Sequence, residues 1–337
     1  MSTVVAVINP ARRHAVEIQN VLHSVCARAG FSVVDVVHTT VQEPGFSQAR
    51  WAVEQGADRV VVAGGDGTVR QVAGGVAKTT TGLVIMPTGT ANLFAMNVGL
   101  KRRRPGDLAA LERDLEAGLR APLRAHDVGR VRFHPATSTK SGPSGDLPAG
   151  GEFREQAFLA AAGLGMDAVA VAATSESTKQ RWGWLAYLRN GADLLNAPRQ
   201  NFRVAVDGDA AQSLAAWSLL WGNTARIPAG ITVFPGADPH NGTLEMLRTE
   251  PRNSRDWVDL AVHGLRRRPR SARALTYRTV HRVQVKTHTP AALQLDGDSL
   301  GATRALEVWV DPGSLYVAAA QPPRPRPSPG PRPNPTP

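Results

Sequence analysis

Val60-Val61-Val62-Ala63-Gly64-Gly65-Asp66-Gly67-Thr68-Val69 begins as a short β-branched run, passes through three glycines and ends where a helical pattern starts. Glycines let the backbone turn sharply and approach a ligand closely. The free N–H groups at the start of the following helix favour a phosphate. Asp66 would add a carboxylate beside that anion, so a bridging Mg²⁺ is the expected third partner. Thr68 is suited to capping the helix or to bonding a phosphate oxygen. The alternative is a plain turn between a strand and a helix, capped by Asp66.

A second loop of the same kind follows the next predicted strand. It is Met86-Pro87-Thr88-Gly89-Thr90-Ala91-Asn92, and it opens the next predicted helix. Consecutive loops of a parallel sheet meet at the carboxyl edge of the strands, where ligands bind in such folds. The pair of loops therefore favours a nucleotide-binding edge over two plain turns.

Strand and helix patterns alternate over residues 1–126, which predicts a doubly wound parallel sheet with helices on both faces. The predicted strands are 3–9, 32–38, 59–63 and 82–86, and the predicted helices are 14–29, 46–56, 68–78, one from about residue 90, and 106–119. This is the first predicted domain.

After Asp127 the pattern changes to short strands, which predicts a second, mainly antiparallel β domain over residues 127–320. Its predicted strands are 127–133, 154–161, 200–207, 214–221, 231–234, 243–248, 280–287, 291–295 and 304–310, with helices near 165–196 and 255–266. Its last strand could return to the first domain. The Pro-rich tail, 321–337, is expected to be disordered.

Composition narrows the classes of partner and compartment. The 337 residues carry a formal charge of +11, which favours nucleotides, nucleic acid or acidic lipid headgroups. The single cysteine, Cys26, lies in an apolar helical pattern, so we expect a buried thiol in a reducing cytoplasm. No apolar run approaches the roughly 18 residues of a transmembrane helix, and the first residues lack a signal-peptide pattern.

Other segments have two interpretations each. The basic clusters at 101–104 and 266–273 are either solvated helix ends or contacts for an anionic membrane surface. No nucleic-acid-reading motif occurs, so no nucleic-acid partner is expected. The aromatic group at 182–187 either packs in a core or lines an acyl-chain surface. The dinucleotide-like pattern at 163–168 lacks the strand that should follow it, so a packing turn is expected there.

The chain resembles the diacylglycerol-kinase catalytic family, which includes bacterial lipid kinases and the sphingosine and ceramide kinases. The matching motifs occur in this order: Ile8-Asn9-Pro10, Gly64-Gly65-Asp66-Gly67-Thr68, Pro87-Thr88-Gly89-Thr90-Ala91-Asn92, Asp127-Val128-Gly129, 162–168, 183–187, Gly222-Asn223, Pro228-Ala229-Gly230 and Leu295-Asp296-Gly297-Asp298. They span nearly all of residues 1–320. The two glycine loops are specific as a pair, and the others are specific only in that order.

This resemblance implies two domains with the nucleotide in the cleft between them. It implies Mg²⁺-dependent transfer of the ATP γ-phosphate to a lipid hydroxyl, with diacylglycerol as the favoured acceptor, by a cytoplasmic enzyme in peripheral contact with the membrane. By position, the residues expected at the nucleotide are Asn9, Arg12, Gly64, Gly65, Asp66, Gly67, Thr68, Thr88, Gly89, Thr90 and Asn92. Asp66 would act through the metal. Asp298 stands where relatives have Glu in Asp-Gly-Glu, the proposed base, with Asp296 as its nearest rival.

Three positions depart from the family pattern. Leu93 follows Asn92 where relatives often have Asp, and Asn241-Gly242 replaces an Asp-Gly that helps hold a structural Mg²⁺ in some bacterial members. Asp298 is one methylene shorter than Glu. A catalytically weak homologue that binds nucleotide or lipid therefore stays open. NAD kinase is a further alternative because it shares the Gly-Gly-Asp-Gly loop, although the chain lacks its downstream Asn-Glu pair. The oligomeric state is open, and a homodimer is one option.

Overall fold

A computed structural model gives the fold of the chain. It describes all residues except 1, 13–14, 90, 101–106, 137–152, 167, 169–198, 228–230, 252, 254, 257, 260–261, 263–271 and 319–337. Several predicted segments therefore lie wholly or mostly outside the described residues: the helices at 165–196 and 255–266, the aromatic group at 182–187 and the Pro-rich tail. The basic cluster at 101–104 also lies outside them, and the cluster at 266–273 is described only at Ala272 and Arg273. Among the described residues, none of the helices is both long and apolar enough to span a membrane.

The first part of the chain is a parallel sheet between two helical layers, as the alternating pattern predicts. Its elements are β1 (Ser2–Ile8), α1 (Ala15–Ala29), β2 (Phe31–His38), α2 (Phe46–Glu54), β3 (Arg59–Gly64), α3 (Asp66–Val76), β4 (Gly82–Pro87), α4 (Leu93–Asn97) and α5 (Leu108–Arg120). The strands lie in the order β4-β3-β1-β2 and all pair in parallel.

Side chains alternate between the two faces of the sheet, and both faces are buried at β1, β3 and β4, whereas the edge strand β2 is only partly buried. In β1, Val5 and Val7 belong to the apolar core that contains α2 and α3 residues. Val4 and Ala6 point to the other core, which contains residues of α1 and α5. Burial on both faces explains why the strands are continuous apolar runs.

The second part is rich in antiparallel strands. They are β5 (Leu123–Pro135), β6 (Arg154–Phe158), β7 (Ala161–Gly165), β8 (Gln200–Val206), β9 (Gln212–Ala216), β10 (Ser218–Gly222), β11 (Arg226–Ile227), β12 (Ile231–Thr232), β13 (Leu244–Thr249), β14 (Leu275–Val280), β15 (Arg282–Leu295) and β16 (Asp298–Ala318). Within the described residues they surround one apolar core that includes Phe158, Phe202 and Trp221.

The long strand β16 joins the two parts. It pairs antiparallel with β15 on one side and with β5 on the other. Near its end, Tyr316 and Val317 pair in parallel with Gly82 and Leu83 of β4. The hydrogen-bonded path therefore runs without a break as β14-β13-β10-β7-β15-β16-β4-β3-β1-β2.

The structure differs from the sequence predictions mainly at element ends. The helix expected near residue 90 is the short α4, which starts at Leu93 because Asn92 adopts a left-handed conformation with φ 47°. The strands expected at 280–287 and 291–295 form the single strand β15, whose register is irregular between Lys286 and Ala291. The strand expected at 304–310 extends over 298–318, because β15 pairs with its residues 298–309 and β5 pairs with its residues 303–318.

The dinucleotide-like pattern is a packing feature, although its glycines lie in a strand where a packing turn was expected. Gly163 and Gly165 lie in β7, which pairs antiparallel with β10 and β15 and so does not form the parallel unit of a dinucleotide site. Gly165 has φ +115°, and a Cβ there would stand 2.8 Å from the Trp217 carbonyl oxygen.

Candidate active site

The two glycine loops touch at the carboxyl edge of β3 and β4. The Thr88 N–H donates to the Gly64 carbonyl oxygen at 3.1 Å. A Cβ on Gly89 would stand only 2.6 Å from the Gly65 Cα, so this approach requires glycine. The contact forms one backbone surface from the two loops that the sequence predicts to meet.

Asn9 and Arg12 lie beside the first loop. The Asn9 side-chain N–H donates to the Thr68 hydroxyl at 3.1 Å, and the Asn9 backbone N–H donates to the Ala63 carbonyl oxygen at 2.9 Å. A guanidinium nitrogen of Arg12 lies 2.9 Å from the point that a Cβ on Gly65 would occupy. Arg12 thus brings a positive charge to the loop.

Asp66 is the first residue of α3 and links this helix to the second loop. One carboxylate oxygen, Oδ1, accepts the N–H of Leu93, the first residue of α4. The pKa of Asp66 is raised to about 6: burial raises it, the backbone N–H of Leu93 opposes the shift, and the negative charge of Asp296 adds to it. A buried carboxylate with a raised pKa at a loop edge is typical of a functional site.

The second loop is closed by Asn92. Its side chain donates to the Gly89 carbonyl oxygen at 2.7 Å and accepts the Gly89 N–H at 3.0 Å. The Thr88 hydroxyl is buried and has no hydrogen-bond partner in the described part of the chain. A buried orphan hydroxyl requires a further partner, such as a ligand or a water. Thr90 lies outside the described residues.

Asp298 comes to the same helix from the far end of the chain. Asp296 and Gly297, both with positive φ, form the two-residue turn between β15 and β16, as the Asp-Gly pair predicts. Asp298 is the first residue of β16, and its half-exposed carboxylate lies 3.0 Å from the point of a Cβ on Gly67. The structure therefore brings Asp66 and Asp298 to the same end of α3.

Arg70 was not singled out by the sequence analysis, and it holds Asp298. One guanidinium nitrogen donates to the Asp298 Oδ2 at 3.0 Å and another donates to the Gln156 side chain at 2.9 Å. The Arg70 residue is 5% exposed, so its guanidinium approaches the half-exposed Asp298 carboxylate from inside the protein. One signal was available: Arg70 follows Gly67 by three residues and so lies on the same face of the helix.

Asp296 has a structural role. Its Oδ1 accepts the N–H groups of Ala160 and Ala161 at 2.8 and 3.0 Å, and its Oδ2 accepts that of Leu159 at 2.9 Å. Burial raises its pKa while the positive charge of Arg70 opposes that shift. Since both oxygens fasten β15 to the β6–β7 connection, Asp296 is poorly placed to act as a base.

Several other motif residues also organise the backbone. The buried Asp127 carboxylate accepts the N–H groups of Gly242 and Gly313, each at 2.7 Å. Asn223 donates to the carbonyl oxygens of Asp127 and Leu159. Asn241, where relatives have Asp, accepts hydrogen bonds from Thr243. These residues therefore have structural roles in this chain.

A Mg²⁺ ion at this site would need only one carboxylate ligand from the protein. Within the described residues no group of three or more His, Cys, Asp and Glu could hold a metal ion. Mg²⁺ at kinase sites is commonly bound by one or two carboxylates plus substrate phosphates and water. Asp66, with Oδ1 engaged by Leu93, fits the carboxylate of such a site.

A parallel sheet that ends in two touching glycine loops, joined by a β-rich part that carries a carboxylate to them, defines a two-part kinase fold. The Diacylglycerol kinase catalytic domain model matches residues 3–131, and the YegS C-terminal NAD kinase beta sandwich-like domain model matches residues 160–319. Residues 3–131 thus belong to the diacylglycerol kinase catalytic-domain family, and residues 160–319 belong to the YegS C-terminal domain family.

Curated relatives agree with this family. The chain is similar to "Probable lipid kinase YegS-like" of Chromohalobacter salexigens, with 27% identity over 285 residues, covering 82% of this chain and 81% of the relative. It is also similar to a diacylglycerol kinase of Mycobacterium tuberculosis, with 27% identity over 250 residues and 72% of each chain covered.

Solved structures share the fold. A diacylglycerol kinase from Bacillus anthracis matches with a TM-score of 0.61 and 16% identity, covering 95% of this chain and 97% of its own. Yeast NADH kinase in complex with NADH matches with a TM-score of 0.51 and 11% identity, covering 95% of this chain and 84% of its own. At such identities the likeness establishes the fold alone.

Proposed function

We propose that this protein is an ATP- and Mg²⁺-dependent lipid kinase that transfers the γ-phosphate to a lipid hydroxyl, with diacylglycerol as the favoured acceptor. One observation carries the proposal. Asp298, from the β-rich part, contacts Arg70 and lies beside Gly67 on α3, the helix that begins at the glycine loop. A phosphate-binding edge and a candidate base are thus within one helical turn of each other.

The glycine loops would bind the nucleotide phosphates. Backbone N–H groups at the start of α3 would favour an anion there, and the glycines at 65 and 89 allow the two loops to touch at this edge. Arg12 would add a positive charge, and the orphan Thr88 hydroxyl would gain a partner. Asp66 would hold Mg²⁺, which when bound neutralises negative charge on the transferring phosphoryl group.

Asp298 would accept the proton of the acceptor hydroxyl. The hydroxyl oxygen forms a bond to the γ-phosphorus, the bond from that phosphorus to the bridging oxygen of ADP breaks, and the hydroxyl proton passes to the Asp298 carboxylate. Because Asp298 is half-exposed, it can release that proton to water. Arg70 orients the carboxylate through Oδ2, with Gln156 holding Arg70 in turn.

The setting of the reaction is the surface of an anionic membrane. The formal charge of +11 supports this part of the proposal, since positive charge near an acidic surface contributes about 1 kcal/mol per residue. Flotation with vesicles of neutral and of acidic lipid measures it. Equal binding to both vesicle types would contradict it.

A radiolabelled ATP transfer assay tests the function. Wild-type protein is incubated with Mg²⁺ or with excess chelator and a panel of dioctanoylglycerol, sphingosine, ceramide and NAD⁺. We expect labelled phosphatidic acid from dioctanoylglycerol when Mg²⁺ is present and none when the chelator is present. Label on NAD⁺ would instead support the NAD kinase alternative, which the Gly-Gly-Asp-Gly loop and the fold of yeast NADH kinase motivate. Nucleotide binding by calorimetry without any labelled product would support a catalytically weak homologue.

A further inference from the structure

Five neighbouring strands of the β-rich part share a polar outer surface. In register across β8, β15, β16, β5 and β6 lie Ala205, Gln284, Glu307, Arg132 and Glu155. On the first four of these strands, the residues before and after this row belong to the apolar core. Because side chains alternate along a strand, the row itself faces away from that core. We call the surface that carries this row the outer face.

Three carboxylates of the outer face are neutralised within it. The ion pairs are Glu155 with Arg132 at 3.3 Å, Glu307 with Arg282 at 2.9 Å, and Asp311 with Arg130 at 2.9 Å. Arg132 and Arg282 also stack against the Trp309 ring, with 5.5 Å between each guanidinium carbon and the ring centroid. Each ion pair therefore adds no net charge to the face.

Two further cations of the outer face have no such partner. Arg203 on β8 and Lys286 on β15 are directly opposite each other in the antiparallel ladder, and both are exposed. Neither forms an ion pair with any residue that the structure describes. Like charges in directly opposed positions destabilise a sheet, so the fold gains nothing from this pair. Anionic groups that lie over both strands would remove the repulsion.

Exposed apolar side chains border the outer face at its other end, near Glu155. Val41, Phe46 and Phe153 are 93%, 47% and 56% exposed, and they are three of the seven large apolar side chains exposed among the described residues. The Phe153 ring packs on His134 of β5 with 3.6 Å between ring centroids. Phe46 and Glu155 line one cavity, and Val41 adjoins it in sequence. The apolar group is thus continuous with the outer face.

The spacing of these features fits a flat and extended partner. Arg203 lies on β8 and Glu155 on β6, four strand spacings apart, which is about 19 Å. A single small anion cannot contact both ends of such a surface, whereas a bilayer can. Binding at a membrane interface combines buried apolar area with attraction to anionic lipid. Glu43 and Arg50, exposed beside the apolar group, add one charge of each sign and leave the excess of positive charge unchanged.

We propose that the outer face and the side chains of Val41, Phe46 and Phe153 form one docking surface for an acidic phospholipid bilayer. Anionic headgroups lie across Arg203 and Lys286, and the apolar side chains enter the boundary between headgroups and acyl chains. The inference rests on the membrane setting of the proposed function, and it goes further by naming the surface that makes the contact.

Docking in this way turns the candidate base toward the bilayer. Arg70 lines the same cavity as Phe46 and Glu155, and it donates to the Asp298 carboxylate at 3.0 Å. The apolar group and the base therefore lie on one side of α3. An enzyme whose acceptor is held in a membrane needs this orientation.

The first experiment removes the two unpaired charges. The double variant Arg203→Gln with Lys286→Gln is compared with Arg113→Gln with Arg120→Gln, which removes the same charge from exposed positions of α5. Flotation with vesicles of equimolar phosphatidylcholine and phosphatidylglycerol measures binding. Each charge near an acidic surface contributes a factor of about 5, so we expect about 25-fold weaker binding by the first variant and near wild-type binding by the second. Equal binding by the two variants would overturn the inference.

The second experiment reports on the apolar group. Cys26 is the single cysteine and is buried, and burial raises its pKa to about 11, so a new exposed cysteine can be labelled selectively. Val41→Cys and the control Val16→Cys each replace an exposed valine, and Val16 lies on α1, which packs on the other face of the parallel sheet from α2. Each variant carries an environment-sensitive nitrobenzoxadiazole dye. On acidic vesicles we expect a blue shift of the emission from position 41 and no shift from position 16.

The remaining outcomes separate this surface from its rivals and from the kinase function. No shift at position 41, or equal shifts at both positions, would refute membrane docking by this surface. Tighter binding of wild type to a DNA duplex or an RNA hairpin than to acidic vesicles, lost in Arg203→Gln with Lys286→Gln, would assign the outer face to nucleic acid instead. Both expected results from a protein that transfers no phosphate would uphold the docking surface while refuting the kinase function.

Discussion

Replacing Asp66 by asparagine separates the chemistry of this carboxylate from its part in the fold. Asparagine keeps an oxygen that can accept the Leu93 N–H, so the link between α3 and α4 is retained. It removes the charge that a bridging Mg²⁺ would need. We therefore expect Asp66→Asn to abolish phosphate transfer and to leave the protein folded.

The stability of this variant follows from the raised pKa. Burial shifts the pKa of Asp66 from its ordinary 3.8 to about 6, a change of about 2 units. At 1.36 kcal/mol per unit, the buried negative charge costs about 3 kcal/mol at neutral pH. The amide recovers only part of this, because its N–H₂ group meets backbone N–H groups, so we expect Asp66→Asn to gain about 1–2 kcal/mol.

The sign of the pH dependence can be checked in the same way. A carboxyl group with a raised pKa binds its proton more tightly in the folded state, so ionisation destabilises the fold as the pH rises from about 4 to about 6. The advantage of Asp66→Asn over wild type should therefore be absent below pH 4, grow between pH 4 and 6, and stay constant above pH 7.

Urea unfolding at several pH values, without Mg²⁺ or nucleotide, measures this difference, provided that the m value is unchanged. Asp66→Ala is the matched control, since it removes the charge and also leaves the Leu93 N–H without its acceptor. It should be less stable than Asp66→Asn by about 1–3 kcal/mol. If Asp66→Asn is less stable than wild type at pH 8, the burial argument is wrong and the carboxylate stabilises the fold.

Three further predictions concern other titratable groups. Asp298→Ala should lower turnover at least about 100-fold with ATP affinity near wild type, and Asp298→Glu should retain activity; wild-type turnover in Asp298→Ala would remove this residue from the mechanism. Asp296→Ala should cost about 3 kcal/mol or more in urea unfolding, because three backbone N–H groups lose their acceptor; a cost below about 1 kcal/mol would contradict its structural role. Burial lowers the pKa of His126 to about 4, so wild type should lose up to about 3 kcal/mol as the pH falls from 6.5 to 4, and an equally steep loss in His126→Asn would assign that loss to other groups.

Most of the fold could be predicted from local patterns in the sequence. The parallel strands are apolar runs flanked by helical spacing, and both signals are contained within about 20 residues of chain. The ends of β15 and β16 were less predictable, because their length depends on partners in β5, β7 and β8. No local signal in residues 298–303 indicates that this segment pairs with β15.

The candidate site likewise has one part that local sequence predicts and another that depends on packing. The glycine loops, Asp66 and Thr68 are consecutive or nearly so, and their spacing predicts the phosphate edge. The contact of Arg70 with Asp298 joins residues that are 228 positions apart. Helical spacing from Gly67 places Arg70 on the same face of α3, but it does not indicate which carboxylate the guanidinium meets. The choice between Asp296 and Asp298 likewise depended on which carboxylate meets the β6–β7 connection, which only the packing determines.

The parallel pairing of β16 with β4 has a consequence for how the chain is made. The edge of β4 is covered only when Tyr316 and Val317 arrive, which are among the last described residues. A nascent chain that ends before them leaves the hydrogen-bonding groups of a buried apolar strand open to other chains. Expression of residues 1–126 alone should therefore yield aggregates. Premature termination upstream of residue 316 should yield material that quality-control proteases remove.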